Sequence, residues 1–267
     1  MHMELIDIGC NLTHDSFDDD RGAVLARARE AGVVQMVVTG ASADGSTKAL
    51  ELARTYPGEL FATAGVHPHH AGDFDDATEA LLCDLLSRHG VVAVGETGLD
   101  YFRDFSPRPA QREAFERHLE IAKATGFPLF LHVRDAHEDF LAMLKAVRDK
   151  VGKVVVHCFT GEREQLRDYL DLDCHIGITG WICDERRGTH IQKFLADIPD
   201  DRLMLETDSP YLKPRNLKPR VKTHRNEPQW LPWIVNTVAS CLGKSAEDIA
   251  ERTTATARNF FGLPAPG

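Results

Sequence analysis

The feature that most constrains the fold is a repeated alternation of short apolar runs with helical patterns. Several of the runs are too continuously apolar for a strand with one face in water, which indicates burial on both faces. The eight runs are Leu5–Ile8, Val33–Thr39, Leu60–Gly65, Val91–Gly95, Pro128–Leu131, Lys153–Val156, His175–Ile178 and Arg202–Leu205.

Amphipathic stretches lie between these runs. Pro109–Thr125, for example, places Phe115 and Leu119 on one stripe and stops at Gly126, a residue typical of a helix end. The helical stretches predicted in this way are Asp18–Ala31, Thr47–Tyr56, Asp75–Arg88, Pro109–Thr125, Asp135–Val151, Glu162–Leu170, Arg187–Ala196, Trp230–Leu242 and Ala246–Phe261.

Eight strands alternating with helices predict an α/β fold, a (β/α)8 TIM-type barrel. We expect a single domain over residues 1–263, followed by a short disordered tail over residues 264–267. An open doubly wound sheet is the alternative. It would be favoured by a G-x-G-x-x-G loop after the first strand, and Ile8–Leu12 has a different pattern.

Composition narrows the function. The chain has 267 residues, close to the length of one such barrel. Its net charge of -10 argues against a protein that binds nucleic acid through an overall positive charge, but a nuclease with local basic groups remains possible. The six cysteines form no C-x-x-C pair and are typical of reduced thiols in a cytosolic protein. No signal peptide and no membrane span are predicted, so we expect a cytoplasmic location and no membrane partner.

Polar side chains follow many of the apolar runs. A barrel carries its chemistry at the carboxyl ends of its strands, so these side chains are expected to converge. Each alone has a structural explanation, either a hydrogen-bonded histidine or an acidic helix cap. The combination of two imidazoles and two carboxylates at four strand ends predicts a metal site instead. Those four residues are Glu96, His132, His157 and Asp208.

The motifs around these residues resemble the TatD family of metal-dependent deoxyribonucleases, in particular the branch typified by TatD. The resemblance covers nearly the whole chain and implies a TIM-type barrel, a divalent cation and hydrolysis of DNA from the 3′ end, with RNA and DNA breakdown in repair as further associations. The motifs that carry the family resemblance are Gly65–His69, Gly95–Asp100, Leu131–Asp135, His157–Gly161 and Glu206–Leu212. Those that resemble the TatD branch are Asp7–Thr13, Ile176–Trp181 and Cys183–Gly188.

The first strand departs from the family pattern. Many relatives have two histidines in a D-x-H-x-H arrangement, whereas here those positions are Gly9 and Asn11, after Asp7. We therefore expect one well-held cation, bound by Glu96, His132 and His157 with Asp208 close by. A second, weaker ion or a supporting role is assigned to Asp7, Asn11 and Glu206. Fewer nitrogen ligands favour Mg²⁺, with Mn²⁺ as a substitute and Zn²⁺ as a further candidate.

The remaining candidate residues are assigned roles in phosphodiester hydrolysis. Asp208 is predicted to orient and deprotonate the attacking water, with a role as a fourth ligand as the alternative. Arg134 is predicted to bind a phosphate, or else to pair with Asp135 or Glu138. His67 and His69 are candidates for phosphate or ribose contacts or for partners of the metal ligands. The first role is favoured for His67, and that of His69 stays open.

Two further features bear on a nucleic-acid substrate. The run Lys213–Arg225 has six Lys and Arg residues and no acid, and it could follow the backbone of a single strand or be a solvated loop. Aromatic residues near strand ends could stack on bases, although each by itself is more typical of core packing. They are Tyr101, Phe102, Phe105, Trp181 and Tyr211.

The sequence thus predicts a metal-dependent 3′–5′ exonuclease of single-stranded DNA, with RNA as a second candidate substrate and a role in DNA repair or degradation. A small-molecule amidohydrolase or esterase is one alternative and would need a closed pocket without a basic approach. A non-enzymatic quality-control partner is another and would tolerate loss of the ligand residues. Protein partners and oligomeric state are left open.

Overall fold

The computed structural model describes residues 3–219 and 222–265, and in it eight parallel strands form one sheet in chain order. This neighbour order, with a helix after each strand, is that of a (β/α)8 TIM-type barrel, as the alternation in the sequence predicted. The strands are β1 (Leu5–Cys10), β2 (Val33–Val38), β3 (Leu60–Ala64), β4 (Val91–Asp100), β5 (Leu129–Arg134), β6 (Val154–Val156), β7 (Cys174–Ile178) and β8 (Leu203–Leu205).

Helices follow the strands along the chain. Across the described residues the α-helices are α1 (Arg21–Glu30), α2 (Ala43–Thr55), α3 (Asp76–Leu86), α4 (Arg108–Thr125), α5 (His137–Val147), α6 (Arg163–Asp171), α7 (Thr189–Gln192), α8 (Leu231–Leu242) and α9 (Ala246–Phe261). None of these is long and apolar enough to cross a bilayer.

The chain forms two compact units. The first comprises the described residues of Met1–Val38, Cys158–Arg163 and Ile176–Gly267. Within it, β1 pairs in parallel with β2, and the Asp208 N–H beyond β8 donates to the carbonyl of Gly9 in β1 at 2.8 Å. Buried apolar side chains such as Ile8 and Met36 form the core of this unit.

The second unit comprises Thr39–His157 and Glu164–His175, and it contains β3 to β6. Strand β4 is longer than the predicted Val91–Gly95 and stays paired with β5 as far as Asp100 and Arg134. The residues from Glu96 to Asp100 therefore belong to a strand, and their side chains alternate between its two faces.

One predicted helix was too long. Instead of Arg187–Ala196, the chain forms the short α7 and a 3₁₀ turn at Leu195–Asp197. Gly188 packs directly on the backbone of Trp181, so the helix begins only after this glycine.

Two other sequence predictions concern the cysteines and the tail. All six cysteines are free, and three are buried. In the predicted tail, the Pro264 carbonyl accepts a hydrogen bond from the Gln35 side chain at 3.0 Å, while Pro266 and Gly267 lie outside the described residues. The single-domain assignment stays a prediction.

Candidate metal centre

One carboxylate oxygen in the second unit is approached by three imidazoles. Glu96 Oε1, at the middle of β4, lies 2.7 Å from His157 Nε2, 3.2 Å from His132 Nδ1 and 3.4 Å from His67 Nε2. Glu96, His67 and His157 are buried and His132 is nearly so, so these groups meet in a site that largely excludes water.

Glycines let the strands come close enough to form this cluster. Gly98 has a φ of +145°, and a Cβ placed on it would lie 1.9 Å from the carbonyl oxygen of His132. A Cβ on Gly65, after β3, would in the same way lie 2.5 Å from Cα of Gly95 in β4. Both positions therefore require glycine for close backbone approach, which explains the glycines in the family motifs.

The hydrogen-bond partners of the histidines separate their roles. His67 Nδ1 accepts the backbone N–H of His69 at 3.1 Å, so the proton of the neutral ring lies on Nε2, which faces Glu96. His67 therefore presents a hydrogen-bond donor to the centre. In His132 the Nδ1 edge faces Glu96, and Nε2 lies 3.3 Å from Asp100 Oδ2. This arrangement turns Nδ1 of His132, rather than Nε2, toward the Glu96 oxygen.

Asp100 supports the cluster from behind. It is buried at the end of β4, and its Oδ2 lies 2.9 Å from His69 Nε2 as well as near His132. Its Oδ1 accepts the backbone N–H groups of Phe102 and Arg103. Asp100 belongs to one of the family motifs, but sequence reasoning gave it no role. Strand alternation was the signal, because Glu96, Gly98 and Asp100 share one face of β4.

The electrostatics keep the carboxylates ionised. Burial alone would raise the pKa of Glu96, but the imidazoles of His157 and His67 and hydrogen bonds from His132 and His157 outweigh it, and the pKa lies well below its ordinary value. Burial is also the largest influence on Asp100 and would raise its pKa, yet hydrogen bonds from His132 and His69 and the backbone of Arg103 lower it. Burial lowers the pKa of His67 well below its ordinary value and keeps this ring neutral.

This donor set fits a divalent cation. Ionised carboxylate oxygen and neutral imidazole nitrogen are the forms in which Glu and His bind metals. Ligand atoms of His67, Glu96 and His132 lie within 4.8 Å of one another, and His157 Nε2 touches the same carboxylate oxygen. Given the tautomer of His67, the residues that could hold an ion are Glu96, His132 and His157, with His67 as a hydrogen-bond donor beside them.

A buried histidine outside the predicted set fixes the backbone next to His67. His118 in α4 accepts the Val66 N–H at Nε2, at 3.0 Å, and its Nδ1 donates to the Ala114 carbonyl. Burial lowers its pKa to about 4. No feature of the sequence distinguished this histidine from an ordinary residue on the buried face of a helix.

Arg134 and two aromatic rings lie at the edge of the cluster. The guanidinium of Arg134 lies 3.9 Å from the ring centre of Phe102, and among the described residues it has no ion pair with Asp135 or Glu138. The ring of Phe105 lies 4.7 Å from that of His69. Phe102 and Phe105 are 54% and 68% exposed, so the expectation of core packing is wrong for both, and Tyr211 is also exposed.

The other predicted site residues lie in the first unit, at the ends of β1 and β8. Asn11 Nδ2 donates to Asp208 Oδ1 at 3.0 Å. The backbone of Asp208 is held in the left-handed region, with a φ of +53°, by its N–H bond to Gly9. Asn11, at a position where the family pattern predicts a histidine, thus orients Asp208.

Asp7 and Glu206 are fully buried and hold strand ends together. Asp7 accepts the backbone N–H of Thr207 at 2.9 Å and its hydroxyl at 2.5 Å. Glu206 accepts the backbone N–H of Cys158. Burial, and to a lesser degree the nearby Glu206, raises the pKa of Asp7 to about 7, although the bonds from Thr207 and Gly9 oppose this.

The basic run Lys213–Arg225 is only partly available to a ligand. Arg225 pairs with Asp20 at 2.8 Å and Glu227 at 2.9 Å, which ties this part of the run to α1 and the segment before α8. Arg220 and Val221 lie outside the described residues.

Comparison with known proteins agrees with this geometry. A family model described as TatD related DNase matches residues 6–262. The 3′-5′ ssDNA/RNA exonuclease TatD of Pantoea vagans (strain C9-1) is 47% identical over 97% of this chain and 100% of its own length. The protein of the same name from Dickeya dadantii (strain 3937) is 48% identical over 96% of this chain and 97% of its own length.

Solved structures give the same result. A TatD family hydrolase from Entamoeba histolytica superposes with a TM-score of 0.90 at 27% identity, covering 99% of this chain and 100% of that one. A TatD homolog from Escherichia coli K12 has a TM-score of 0.89 at 29% identity, with the same coverage. With a family model matching nearly its whole length and relatives near half identity, this chain belongs to the TatD-related DNase family.

Proposed function

We propose that the protein is a metal-dependent 3′–5′ exonuclease that hydrolyses phosphodiester bonds of single-stranded DNA and of RNA. The observation that carries the proposal is the meeting of three imidazoles on one carboxylate oxygen of Glu96, within 2.7 to 3.4 Å. The relatives from Pantoea vagans and Dickeya dadantii bear the name of this activity and support the same substrate class here.

Glu96, His132 and His157 are the proposed ligands of the cation, with Asp208 as a further ligand or base. Mg²⁺ is the proposed physiological ion and Mn²⁺ its substitute, because the first strand offers Gly9 and Asn11 in place of nitrogen ligands. Zn²⁺ is a further candidate, because imidazole nitrogen suits it.

Hydrolysis requires an activated water and relief of charge on the phosphate. When bound, a divalent cation polarises the phosphoryl group and lowers the pKa of water. Asp208 is the proposed base that takes the proton of the attacking water, and the Asn11 amide, which donates to its Oδ1, orients the carboxylate. His67 Nε2–H and Arg134 are proposed to donate hydrogen bonds to phosphate oxygens.

The exposed rings of Phe102 and Phe105 support a single-stranded substrate. Each lies beside a proposed site residue, Phe102 under Arg134 and Phe105 against His69. Exposed aromatic rings bind unpaired bases by stacking, at about 1–3 kcal/mol for each base. The amidohydrolase alternative needs an enclosed small-molecule pocket and gives no reason for these rings to face solvent.

The test is a strand-degradation assay. Protein freed of metal with EDTA is incubated with single strands of DNA and RNA labelled at the 5′ or the 3′ end, with Mg²⁺, Mn²⁺ or Zn²⁺ added in turn. The proposal expects cation-dependent release of the 3′ label first and a shortening ladder from the 5′ label. Release from the 5′ end, or hydrolysis of amide and ester substrates alone, would contradict it. A cytoplasmic location and a role in DNA repair or degradation stay predictions.

A further inference from the structure

A polar cleft lies within the first unit, among residues that follow β7 and β8. It encloses about 440 Å³, a size within the usual range for small-ligand sites. A Cβ on Gly180 would lie 2.1 Å from the Leu212 carbonyl oxygen, so close approach of the two loops forms the cleft. The lining side chains that matter are Trp181, Asp184, Arg187, Lys213, Arg215 and His224.

A buried carboxylate organises the basic groups of this cleft. Asp184, whose side chain is 3% exposed, lies 3.0 Å from Arg187 Nε, 3.2 Å from Arg186 Nη2 and 3.6 Å from Arg215 Nε. Hydrogen bonds from Arg186 are the largest influence on Asp184 and lower its pKa, which favours the ionised carboxylate. Three guanidiniums surround this anion, and one of them, that of Arg215, also pairs with exposed Glu185, so the five charged groups keep a net positive charge.

The guanidiniums remain open to a ligand on their outer edges. The side chains of Arg187 and Arg215 are 53% and 42% exposed. Arg187 also lies over the Trp181 ring at 4.2 Å, which restricts its movement. An arginine held along one edge by a carboxylate presents its remaining N–H groups in a fixed fork, the geometry that suits a phosphate.

We propose that this basic cleft binds a phosphodiester group of single-stranded nucleic acid, with Arg187 and Arg215 as the contact groups and Asp184 as the residue that positions them. The proposal rests on the proposed function, since it adds an accessory binding subsite for the same substrate. It also explains how a chain of net charge -10 holds a polyanion: positive charge is concentrated locally.

The test measures binding without hydrolysis. A fluorescein-labelled thymidine oligonucleotide of about 12 residues, within the span of known single-strand sites, is titrated with protein in EDTA and followed by anisotropy. Arg187→Gln with Arg215→Gln should weaken binding about tenfold and reduce the salt slope by about 0.7 for each phosphate that the variant no longer neutralises. The charge-matched control is Arg88→Gln with Arg252→Gln, two surface arginines outside the cleft.

The control pair should leave affinity and salt slope near those of the native protein. Equal losses of affinity in the two double variants, or no loss in either, would overturn the proposal. Inorganic phosphate and thymidine monophosphate are titrated in parallel as competitors. If either competitor binds the native protein more tightly than the oligonucleotide does, the cleft is a small-anion site and the proposal is wrong.

Asp184→Asn tests the positioning role of this carboxylate, because the added positive charge and the lost ordering should change the affinity for the oligonucleotide in opposite directions. The substitution makes the cleft more positive but removes the anion that orders the guanidiniums, so the proposal expects weaker oligonucleotide binding. Tighter binding would mean that bulk charge alone attracts the strand, and would overturn the positioning role. If circular dichroism shows that Asp184→Asn does not fold, the arginine variants alone test the proposal. Because all of these measurements omit the cation, loss of nuclease activity and loss of this subsite are separately visible.

Discussion

The cluster around Glu96 and the carboxylates at the ends of β1 and β8 differ in what surrounds them. Around Glu96 the neighbours are imidazoles, with three ring nitrogens within 3.4 Å of one oxygen. Around Asp7 and Asp208 the neighbours are backbone N–H groups, the Thr207 hydroxyl and the Asn11 amide. The first group brings together side chains of types that can bind a metal, whereas hydrogen-bond donors surround the carboxylates of the second.

This difference in surroundings moves the pKa values of two buried carboxylates in opposite directions. The pKa of Glu96 lies well below its ordinary value although burial opposes this, because imidazoles stabilise the ionised form. Burial raises the pKa of Asp7 to about 7 and the nearby Glu206 adds to this, although the hydrogen bonds from Thr207 and Gly9 oppose it. An ionised carboxylate is the form that binds a cation, so the low pKa of Glu96 favours a cation at this cluster.

The largest effect is expected from removing the proposed ligands. Glu96→Gln, His132→Ala and His157→Ala should each reduce cation-dependent hydrolysis to the cation-free rate, a loss on the order of 10⁴-fold or more. The measurement is the rate of release of a 3′ label from single-stranded DNA. Glu116→Gln, on the exposed face of α4, is the matched control and should keep native activity. Full activity in any two of the ligand variants would refute the assignment of the centre.

Asp208→Asn tests whether Asp208, which is hydrogen-bonded to residues at the end of β1, acts as the catalytic base. The substitution keeps an oxygen that can accept the Asn11 amide but removes the proton acceptor, so turnover should fall by about 10²–10⁴. Calorimetric titration with Mn²⁺ should show nearly native affinity in this variant. A large loss of Mn²⁺ affinity would show that Asp208 is chiefly a metal ligand. The two regions would then no longer differ in whether they bind the cation.

Asp100→Asn tests the support behind the imidazoles. Loss of the charge near His69 and His132 should weaken cation affinity or activity by about 10–100-fold, as for other carboxylates that orient ligating histidines. The weakening should appear in the Mn²⁺ titration, and excess Mn²⁺ should restore much of the activity. If saturating Mn²⁺ restores nothing, Asp100 acts on the substrate or the fold instead.

Substitution of His118 is expected to have the smallest effect on activity, but it should change how stability depends on pH. Its folded pKa of about 4 lies below the ordinary 6.5, so the unfolded chain binds the proton more readily between these values. The free energy of unfolding should therefore fall by about 2–3 kcal/mol more in the native protein than in His118→Gln as pH drops from about 7.5 to 4.5. The measurement is urea unfolding at each pH. If the free energy of unfolding changes equally with pH in the two proteins, this imidazole is not a buried neutral acceptor.

The sequence predicted the fold well because periodicity reports directly on burial. All eight strands and the order of the sheet followed from apolar runs and their spacing. The extension of β4 to Asp100 was missed, because its glycines are typical of loops in a single sequence although they serve close strand packing. The predicted helix at Arg187–Ala196 failed for a related reason, since packing of Gly188 on Trp181 is a tertiary effect.

The candidate site was predicted less completely. Strand ends pointed to Glu96, His132 and His157, and the structure brings these three together. The orientation of His67 by the His69 backbone depends on a 3₁₀ turn, and the support from Asp100 depends on strand length. The pairing of Asn11 with Asp208 joins residues 197 apart in sequence, which composition and spacing cannot reveal.

Counting tightly held ions tests the central claim most directly. After incubation with Zn²⁺ and gel filtration, elemental analysis should find about one ion per chain in the native protein and almost none in Glu96→Gln. Gly9→His with Asn11→His should bring the count nearer to two, because imidazole supplies the nitrogen that the β1 end lacks. Two tightly held ions in the native protein, or an ion retained by Glu96→Gln, would contradict the division between a metal-binding cluster and a hydrogen-bonded carboxylate group.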